Sequence, residues 1–376
     1  MNKDWEIKKV YEICEIEFGT RVVRKVDGGT IFPVYGGGGA TFKMDTYNRE
    51  NCLIVSRFAM SEKCTRFVEG KFFLNDSGLS LRANENVIYQ KYLEIVILGK
   101  NDEIYSLGRG AAQKNLDMAR FRELKISYPK SLEEQKRIVK ILDEKFAQLE
   151  TIKAASQTNL QNAKDLFQSQ LAKAFSNTTW EKKRLQDCTS IIGDGLHGTP
   201  KYDENGNYYF INGSNLTITD IVFTPETKRV NETEYQKYKV ELNENTVFLS
   251  INGSTLGKRT AFYNNEPVIL GKSACYINVK SNTLNKYYLR HFFNSDIFQE
   301  YAWKEKTGAA IPNLGLKAMR DLKIPLPPLP EQKRIVEQLD SLSEKTKALQ
   351  NIYEQMLLDC EELKQGFLCK AFAGEL

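Results

Sequence analysis

A chain of 376 residues is long enough for two domains, each with its own core. Apolar residues make up 41% and charged residues 27%, which argues against a disordered chain, and no run reaches the ~18 apolar residues of a membrane span. The net charge of +5, from 53 basic and 48 acidic residues, permits nucleic-acid binding without indicating it. The start of the chain, Met1 to Glu6, is charged and lacks the apolar stretch of a secretion signal. Cys14, Cys52, Cys64, Cys188, Cys275, Cys360 and Cys369 are scattered and odd in number, which suggests reduced thiols and a cytoplasmic location.

In chain order, the first stretch is strand-like. Short β-rich runs such as Cys52-Leu53-Ile54-Val55-Ser56 alternate with turn clusters at residues 36–39 and at Asn75-Asp76-Ser77-Gly78. A long helix is predicted from Ser131, an N-cap with Glu134 placed to complete a capping box. Its apolar positions recur every three or four residues at Ile138, Leu142, Leu149, Ile152, Ala163 and Leu166. A second β-rich stretch follows, with Thr246-Val247-Phe248-Leu249-Ser250, turns at Asp194-Gly195 and Asn205-Gly206-Asn207, and one helix at about 286–306. A second long helix starts near Pro330, which suits a first helical turn, and repeats apolar residues from Ile335 and Leu339 through Leu342, Leu349, Tyr353, Met356, Cys360, Leu363 and Phe367. Each long helix would span roughly 60–65 Å at ~1.5 Å per residue, too long for a small domain to cover its apolar seam. The reading is therefore an α+β chain: two mixed, mostly β domains separated by two long antiparallel helices that form a coiled coil. Ordinary bundle packing is the alternative. The boundaries are 1–130, 131–176, 177–328 and 329–376.

The chain repeats itself, which supports a pseudo-two-fold arrangement. Gly110-Ala111-Ala112-Gln113-Lys114-Asn115-Leu116 aligns with Gly308-Ala309-Ala310-Ile311-Pro312-Asn313-Leu314. Leu124-Lys125-Ile126 aligns with Leu322-Lys323-Ile324, and Glu134-Gln135-Lys136-Arg137-Ile138-Val139 is identical to Glu331-Gln332-Lys333-Arg334-Ile335-Val336. Leu171-Ala172-Lys173-Ala174-Phe175 answers Leu368-Cys369-Lys370-Ala371-Phe372, and Trp5-Glu6 with Cys14 answers Trp180-Glu181 with Cys188. Residues 20–105 and 195–300 share little. The frame is duplicated and the inserts differ.

This doubled pattern resembles the specificity (S) subunits of type I restriction-modification systems. The resemblance rests on the Gly-Ala-x-x-x-Asn-Leu stretch, the Leu-x-Ile strand and the Glu-Gln-x-x-Ile-Val helix start, and on a loop at Asp194-Gly195-Leu196-His197-Gly198-Thr199-Pro200-Lys201-Tyr202. The first copy carries Ser131-Leu132-Glu133 where the second is proline-rich, Pro327-Pro328-Leu329-Pro330. The resemblance implies two target-recognition domains, each reading one half of a split, asymmetric sequence in double-stranded DNA. It implies helices that set the spacing and dock two methyltransferase (M) subunits, and a complex open to two restriction (R) subunits. It places S-adenosylmethionine with the M subunit, ATP and Mg with the R subunit, and no cofactor on this chain.

Enzyme signatures are missing. The only Pro-Pro, Pro327-Pro328, lies in a linker rather than in an Asn/Asp-Pro-Pro-aromatic motif. There is no Walker motif, no Cys-x-x-Cys, and only His197 and His291 as histidines. The Glu-x-Lys of residues 134–136 and 331–333 sits at helix starts, where capping explains the glutamate. The expectation is a non-catalytic chain with no metal site. The alternative class is a coiled-coil scaffold that organises protein partners without reading DNA.

Candidate DNA contacts combine basic residues for phosphates with hydrogen-bonding side chains for base edges. In the first domain they are Arg21, Arg24, Tyr35, Gly37, Lys43, Arg57 and Lys63; in the second, His197, Thr199, Lys201, Tyr202, Asn252, Ser254, Lys258 and Arg259. Each also has a plainer reading, as a solvated surface residue or, for His197, a loop hydrogen-bonder. Asn115 and Asn313 read as shared scaffold, because identical residues cannot read different half-sites.

Overall fold

The computed structural model describes residues 4–376. The chain divides into two compact units, one made of residues up to 157 together with 354–376, the other of residues 158–353. Each long helix therefore belongs half to one unit and half to the other.

The strands of the first unit are β1 (Trp5–Lys9), β2 (Cys14–Phe18), β3 (Phe32–Tyr35), β4 (Lys43–Met44), β5 (Arg49–Ser56), β6 (Thr65–Leu74), β7 (Gly78–Ala83), β8 (Gly108–Arg109), β9 (Asn115–Leu116) and β10 (Lys125–Pro129). A six-stranded sheet runs in the order β2-β7-β5-β6-β3-β4, with β3 and β6 parallel. The small pairs β1-β10 and β8-β9 stand apart. Leu53, Val55, Leu79 and Leu81 point from the sheet into a core completed by Tyr92, Leu93 and Val96 of the helix Gln90–Gly99.

In the second unit the strands are β11 (Lys182–Arg184), β12 (Thr189–Asp194), β13 (Tyr208–Ile211), β14 (Arg229–Val230), β15 (Thr246–Ser250), β16 (Thr260–Phe262), β17 (Val268–Leu270), β18 (Ala274–Val279) and β19 (Lys323–Pro325). They form a sheet β12-β18-β15-β16 and a sheet β14-β13-β17, again with one parallel pair, β13 with β17. This is the order of the first unit with its sixth strand cut in two. β6 is ten residues long and serves both ends of its sheet; its counterpart breaks between β16 and β17, where Asn265 takes φ 69°. The helix expected at 286–306 is likewise two, Lys286–Phe293 and Asp296–Glu305. Ser295 restarts it by accepting a hydrogen bond from Phe298 N.

The variable stretches share a hydrogen-bonded skeleton that the sequence hides. Asn75 N donates to Tyr35 O at 2.8 Å, as Gly271 N does to Ile211 O at 2.8 Å. Thr20 N donates to Leu74 O at 3.0 Å, as Leu196 N does to Leu270 O at 2.7 Å. Arg57 N donates to Ser77 O, and Arg57 O accepts from Leu116 N; Ile251 N donates to Ser273 O, and Ile251 O accepts from Leu314 N. These bonds make Tyr35, Gly36, Arg57 and Asn75 the counterparts of Ile211, Asn212, Ile251 and Gly271. One exchange follows from the register. The Asn75 side chain fills the space beside Gly36, whereas the Asn212 side chain fills the space beside Gly271. Either way one asparagine faces one glycine, because a second Cβ there would overlap the first amide.

The long helices run Leu132–Phe175 and Leu329–Ala373. In the first unit their halves pack antiparallel: Arg137 donates to the Leu376 carbonyl, Lys364 lies over the Phe146 ring, and Lys153 pairs with Glu361. In the second unit Leu171 and Phe175 pack with Ile335, Val336 and Leu339. Ile138, Leu142, Leu149, Ala163, Leu339 and Cys360 of the expected seam are buried. Ile152, Leu166, Leu349 and Leu363 are exposed. A helix pair buries one stripe on each partner, and these residues lie off it.

The repeated motifs turn out to be joints. Gln135 is fully buried; its Oε1 accepts from Tyr89 N and its Nε2 donates to Val87 O and Pro129 O. Gln332 does the same with Asn285 N, Thr283 O and Pro327 O. The neighbouring glutamate does not close a capping box. Ser131 Oγ accepts from Glu134 N at 3.3 Å, but the Glu134 carboxylate turns to Arg137, which holds its carboxyl below the usual range. Glu331 pairs with Arg334 in the same way, because a guanidinium one turn on is a better partner than a lone backbone N–H. At the far helix ends Phe372 packs edge-on to Tyr92 in the first unit and Phe175 packs on Tyr288 in the second.

Candidate functional site

At one end of the first sheet, four turns meet. They carry residues 18–20, 35–37, 56–59 and 75–78, and Asn115 ties them by accepting a hydrogen bond from Ala59 N. Tyr35, Gly37 and Arg57 come together here. Gly37 must be glycine, since a Cβ would overlap the Phe58 carbonyl, and its own carbonyl accepts from Ser56 Oγ at 2.7 Å. Tyr35 packs edge-on to Phe72. The Arg57 guanidinium lies 4.8 Å from the Phe18 ring and 4.6 Å from the Phe58 ring. Among the described residues it has no hydrogen-bonding or ionic partner.

Among the described residues no contact joins the other first-domain candidates to Arg57. Arg21 follows the turn at 18–20 and Arg24 opens the short helix Arg24–Asp27; both are exposed. Lys43 is exposed on β4, paired with Pro33. Lys63 takes a different setting: the Glu361 carboxyl on the C-terminal helix is lowered first by its hydrogen bond from Lys153, then by the charges of Lys153 and Lys364, with Lys63 contributing least.

The equivalent junction of the second unit is open. A recess of about 210 Å³ is lined by Asp194, His197, Asn252, Lys272 and Asn313 among others. His197 Nε2 lies 2.7 Å from Asp194 Oδ2, and Asn252 Nδ2 donates to Asn313 Oδ1 at 3.3 Å. His197 and Asn252 are thus brought together. Asp194, Lys272 and the two phenylalanines of the first junction escaped the sequence reading. Asn313 and Asn115 were visible as repeats, and their amides hold the loops of both junctions.

The remaining candidates scatter. Thr199 and Ser254 are exposed. Lys201 N donates to the buried Glu234, which leaves the exposed ammonium outward, and Tyr202 packs on Phe210 with Lys228 Nζ 5.9 Å from its ring. Arg229, over the Tyr209 ring and bonded to its hydroxyl, extends this basic, aromatic strip. Arg259 is committed internally, donating to Ser214 O at 2.8 Å. Lys258 lines another recess of about 710 Å³, with Phe167, Arg290, His291 and Asp340. His291 is buried there, 2.8 Å from Asp340 Oδ1, and burial lowers its pKa to about 4, helped by Arg290 and opposed by Asp340. Burial favours the neutral imidazole; its Nε2 lies within hydrogen-bonding reach of both Asp340 Oδ1 and Arg290 Nη2, the latter at 3.1 Å, while Nδ1 stands without a partner among the described residues.

Among the described residues no group of His, Cys, Asp and Glu could hold a metal ion, and no helix is long and apolar enough to cross a membrane. Six cysteines are buried or partly buried, and burial raises the Cys14, Cys52, Cys64, Cys188 and Cys275 thiols.

Known proteins give the junctions a context. The family model described as the type I restriction modification DNA specificity domain matches twice, at residues 2–161 and 177–357. The StySPI specificity subunit of Salmonella potsdam is 28% identical over 299 residues, covering 73% of this chain and 62% of that subunit. The MjaVIII specificity subunit of Methanocaldococcus jannaschii is 24% identical over 301 residues, covering 73% and 68%. The match to the first of these thus spans less than two thirds of the relative's own length. Among solved structures, a chain of a type I R-M system aligns over 100% of this chain and 99% of its own with a TM-score of 0.77 at 19% identity. The HsdS subunit from Thermoanaerobacter tengcongensis aligns with a TM-score of 0.62, also at 19% identity, covering 100% and 98%. At these identities the structural likeness speaks to the fold.

Proposed function

The chain belongs to the type I restriction modification DNA specificity family, and from that membership we propose that it is the subunit that selects the DNA sequence on which partner enzymes act. Each β domain reads one part of a bipartite, asymmetric target in double-stranded DNA. The long helices set the number of unread base pairs and dock two methyltransferase (M) subunits. Restriction (R) subunits, where the system has them, join that complex. Chemistry rests with the partners: S-adenosylmethionine on the M subunit, ATP and Mg on the R subunit, no cofactor here.

The observation that carries this reading is the pair of junctions: one skeleton, built twice, presents two unlike chemistries. Two different half-sites call for such a pair. A scaffold for identical partners would have no use for it. The exposed helix residues Ile152, Leu166, Leu349 and Leu363 support docking of a partner. So does a recess of about 910 Å³ in the second unit, lined by Leu166, Ala174, Trp180, Ile335, Leu339 and Leu342 among others.

Methylome sequencing of the host with and without this gene tests the proposal. One split motif should vanish with the gene. DNA affinity of the complex should fall steeply with salt, with a slope of about −0.9 per phosphate neutralised. A methylome that does not change, together with salt-insensitive binding, would return the chain to the scaffold class.

A further inference from the structure

The skeleton bonds set Phe18 opposite Asp194, Arg57 opposite Ile251 and Phe58 opposite Asn252. Phe18 pairs with Leu79 as Asp194 pairs with Cys275, and both strands then enter a glycine, Gly19 or Gly195, that the neighbouring carbonyl leaves no room to replace. At this one place the backbone is the same and the chemistry is opposite. In the first unit an arginine packs on two aromatic rings, its guanidinium 4.8 and 4.6 Å from their centroids. In the second unit a polar recess opens, with carboxylate, imidazole, amide and ammonium groups around it.

A guanidinium packed on two rings loses little further freedom on binding, and its five donors keep their planar fork. No protein acceptor among the described residues engages that fork. A planar fork of donors matches the two acceptors on the major-groove edge of guanine, O6 and N7. The second junction offers a mixed donor and acceptor set, of which the Asn252 amide is the part able to pair with a base edge. Resting on the reading of this chain as a DNA-recognition subunit, we infer that Arg57, packed on the rings of Phe18 and Phe58, reads a guanine in one half of the target, and that the recess around Asn252 and His197 is the matching base-reading position for the other half.

The test is selection from a randomised duplex library by the full chain, with and without its methyltransferase partner, comparing the parent with Arg57→Gln, Arg57→Lys and Asn252→Ala. The parent should enrich two separated parts. Arg57→Gln should relax one guanine in one part by about 5- to 150-fold, the worth of one bidentate pair, and leave the other part unchanged. Arg57→Lys keeps the charge and should relax the same guanine with little loss of overall affinity. Asn252→Ala should alter a position in the other part only. Melting temperatures show whether each variant folds; where Arg57→Gln does not, Arg57→Lys decides.

Uniform weakening across all sequences after Arg57→Gln, with a smaller salt slope, would make Arg57 a phosphate contact and overturn the inference. So would an unchanged motif, or variants of Arg57 and Asn252 that alter the same part. A parent that enriches no sequence would instead remove the underlying reading.

Discussion

The first β domain keeps its sixth strand whole; the second breaks it at Asn265 and divides its sheet. Despite this, both place the same turns at the same junction, bonded in the same register. The difference teaches that the skeleton tolerates change in its sheets but not in its joints. Where the joint must be filled, as between Gly36 and Asn75 or Asn212 and Gly271, either strand can supply the filler. What stays free to vary is the surface that the turns carry.

The largest test of that view concerns the two buried glutamines. Gln135→Ala would strand one backbone N–H and two carbonyls and leave a cavity, at a cost of about 4 kcal/mol. Gln332→Ala should cost the same to within ~1 kcal/mol, read by denaturant melts of the full chain. A twofold or larger disparity would mean that the two joints are alike only in outline.

Next comes the exchange of fillers. Gly36→Asn alone should destabilise the first unit by about 3 kcal/mol, since its Cβ would overlap the Asn75 amide. Adding Asn75→Gly recreates the second unit's arrangement and should recover most of that loss. The double-mutant cycle measures the coupling; simple additivity would break the equivalence proposed for these positions.

Acid should then separate the units. In the register set by the glutamine joints, His291 stands where the first unit has Ile95. Its folded pKa, near 4, is depressed below the ordinary value of 6.5. The unfolded chain therefore takes up the proton first. The stability of the neutral imidazole is fully present above about pH 6.5 and is lost progressively as pH falls toward 4, by up to about 3 kcal/mol. Hydrogen exchange at pH 7 and pH 5 should show the second unit loosening more than the first, and His291→Leu should remove the excess. Equal loosening would assign acid sensitivity to other groups.

The smallest effect is expected at Lys91–Asp143, the exposed pair that the first unit uses where the second has Arg290–Asp340. Lys91→Ala should cost under about 1 kcal/mol, and less at high salt. Thermal melts at two ionic strengths check it.

The repeated motifs made the duplicated frame legible in the sequence. Periodicity gave the long helices, because a seam of Ile138, Leu142, Ile335 and Leu339 leaves a signal at every turn. Identity gave the joints as positions, though not their mechanism: the glutamate of Glu134-Gln135 looked like a cap, while the glutamine does the holding. The junctions were only partly legible. Arg57, His197 and Asn252 could be picked as side chains that suit DNA. Their grouping rests on backbone bonds between distant turns, and Phe18 opposite Asp194 carries no trace of equivalence in residue type. Charge alone did not show the surroundings of Arg259, whose guanidinium donates to Ser214 O.

The glutamine joints have a consequence for how such chains can change. Each domain offers its helix one main-chain N–H and two main-chain carbonyls, and main-chain groups are the same whatever residue bears them. The socket is thus blind to the identity of the domain that forms it. An unrelated insert could be spliced in at the same two boundaries and still seat the glutamine, provided that it returned three backbone atoms to their places. Novelty on the outer surface then needs no compensating substitution in the helices, and the two ends of the gene are free to diverge at different rates.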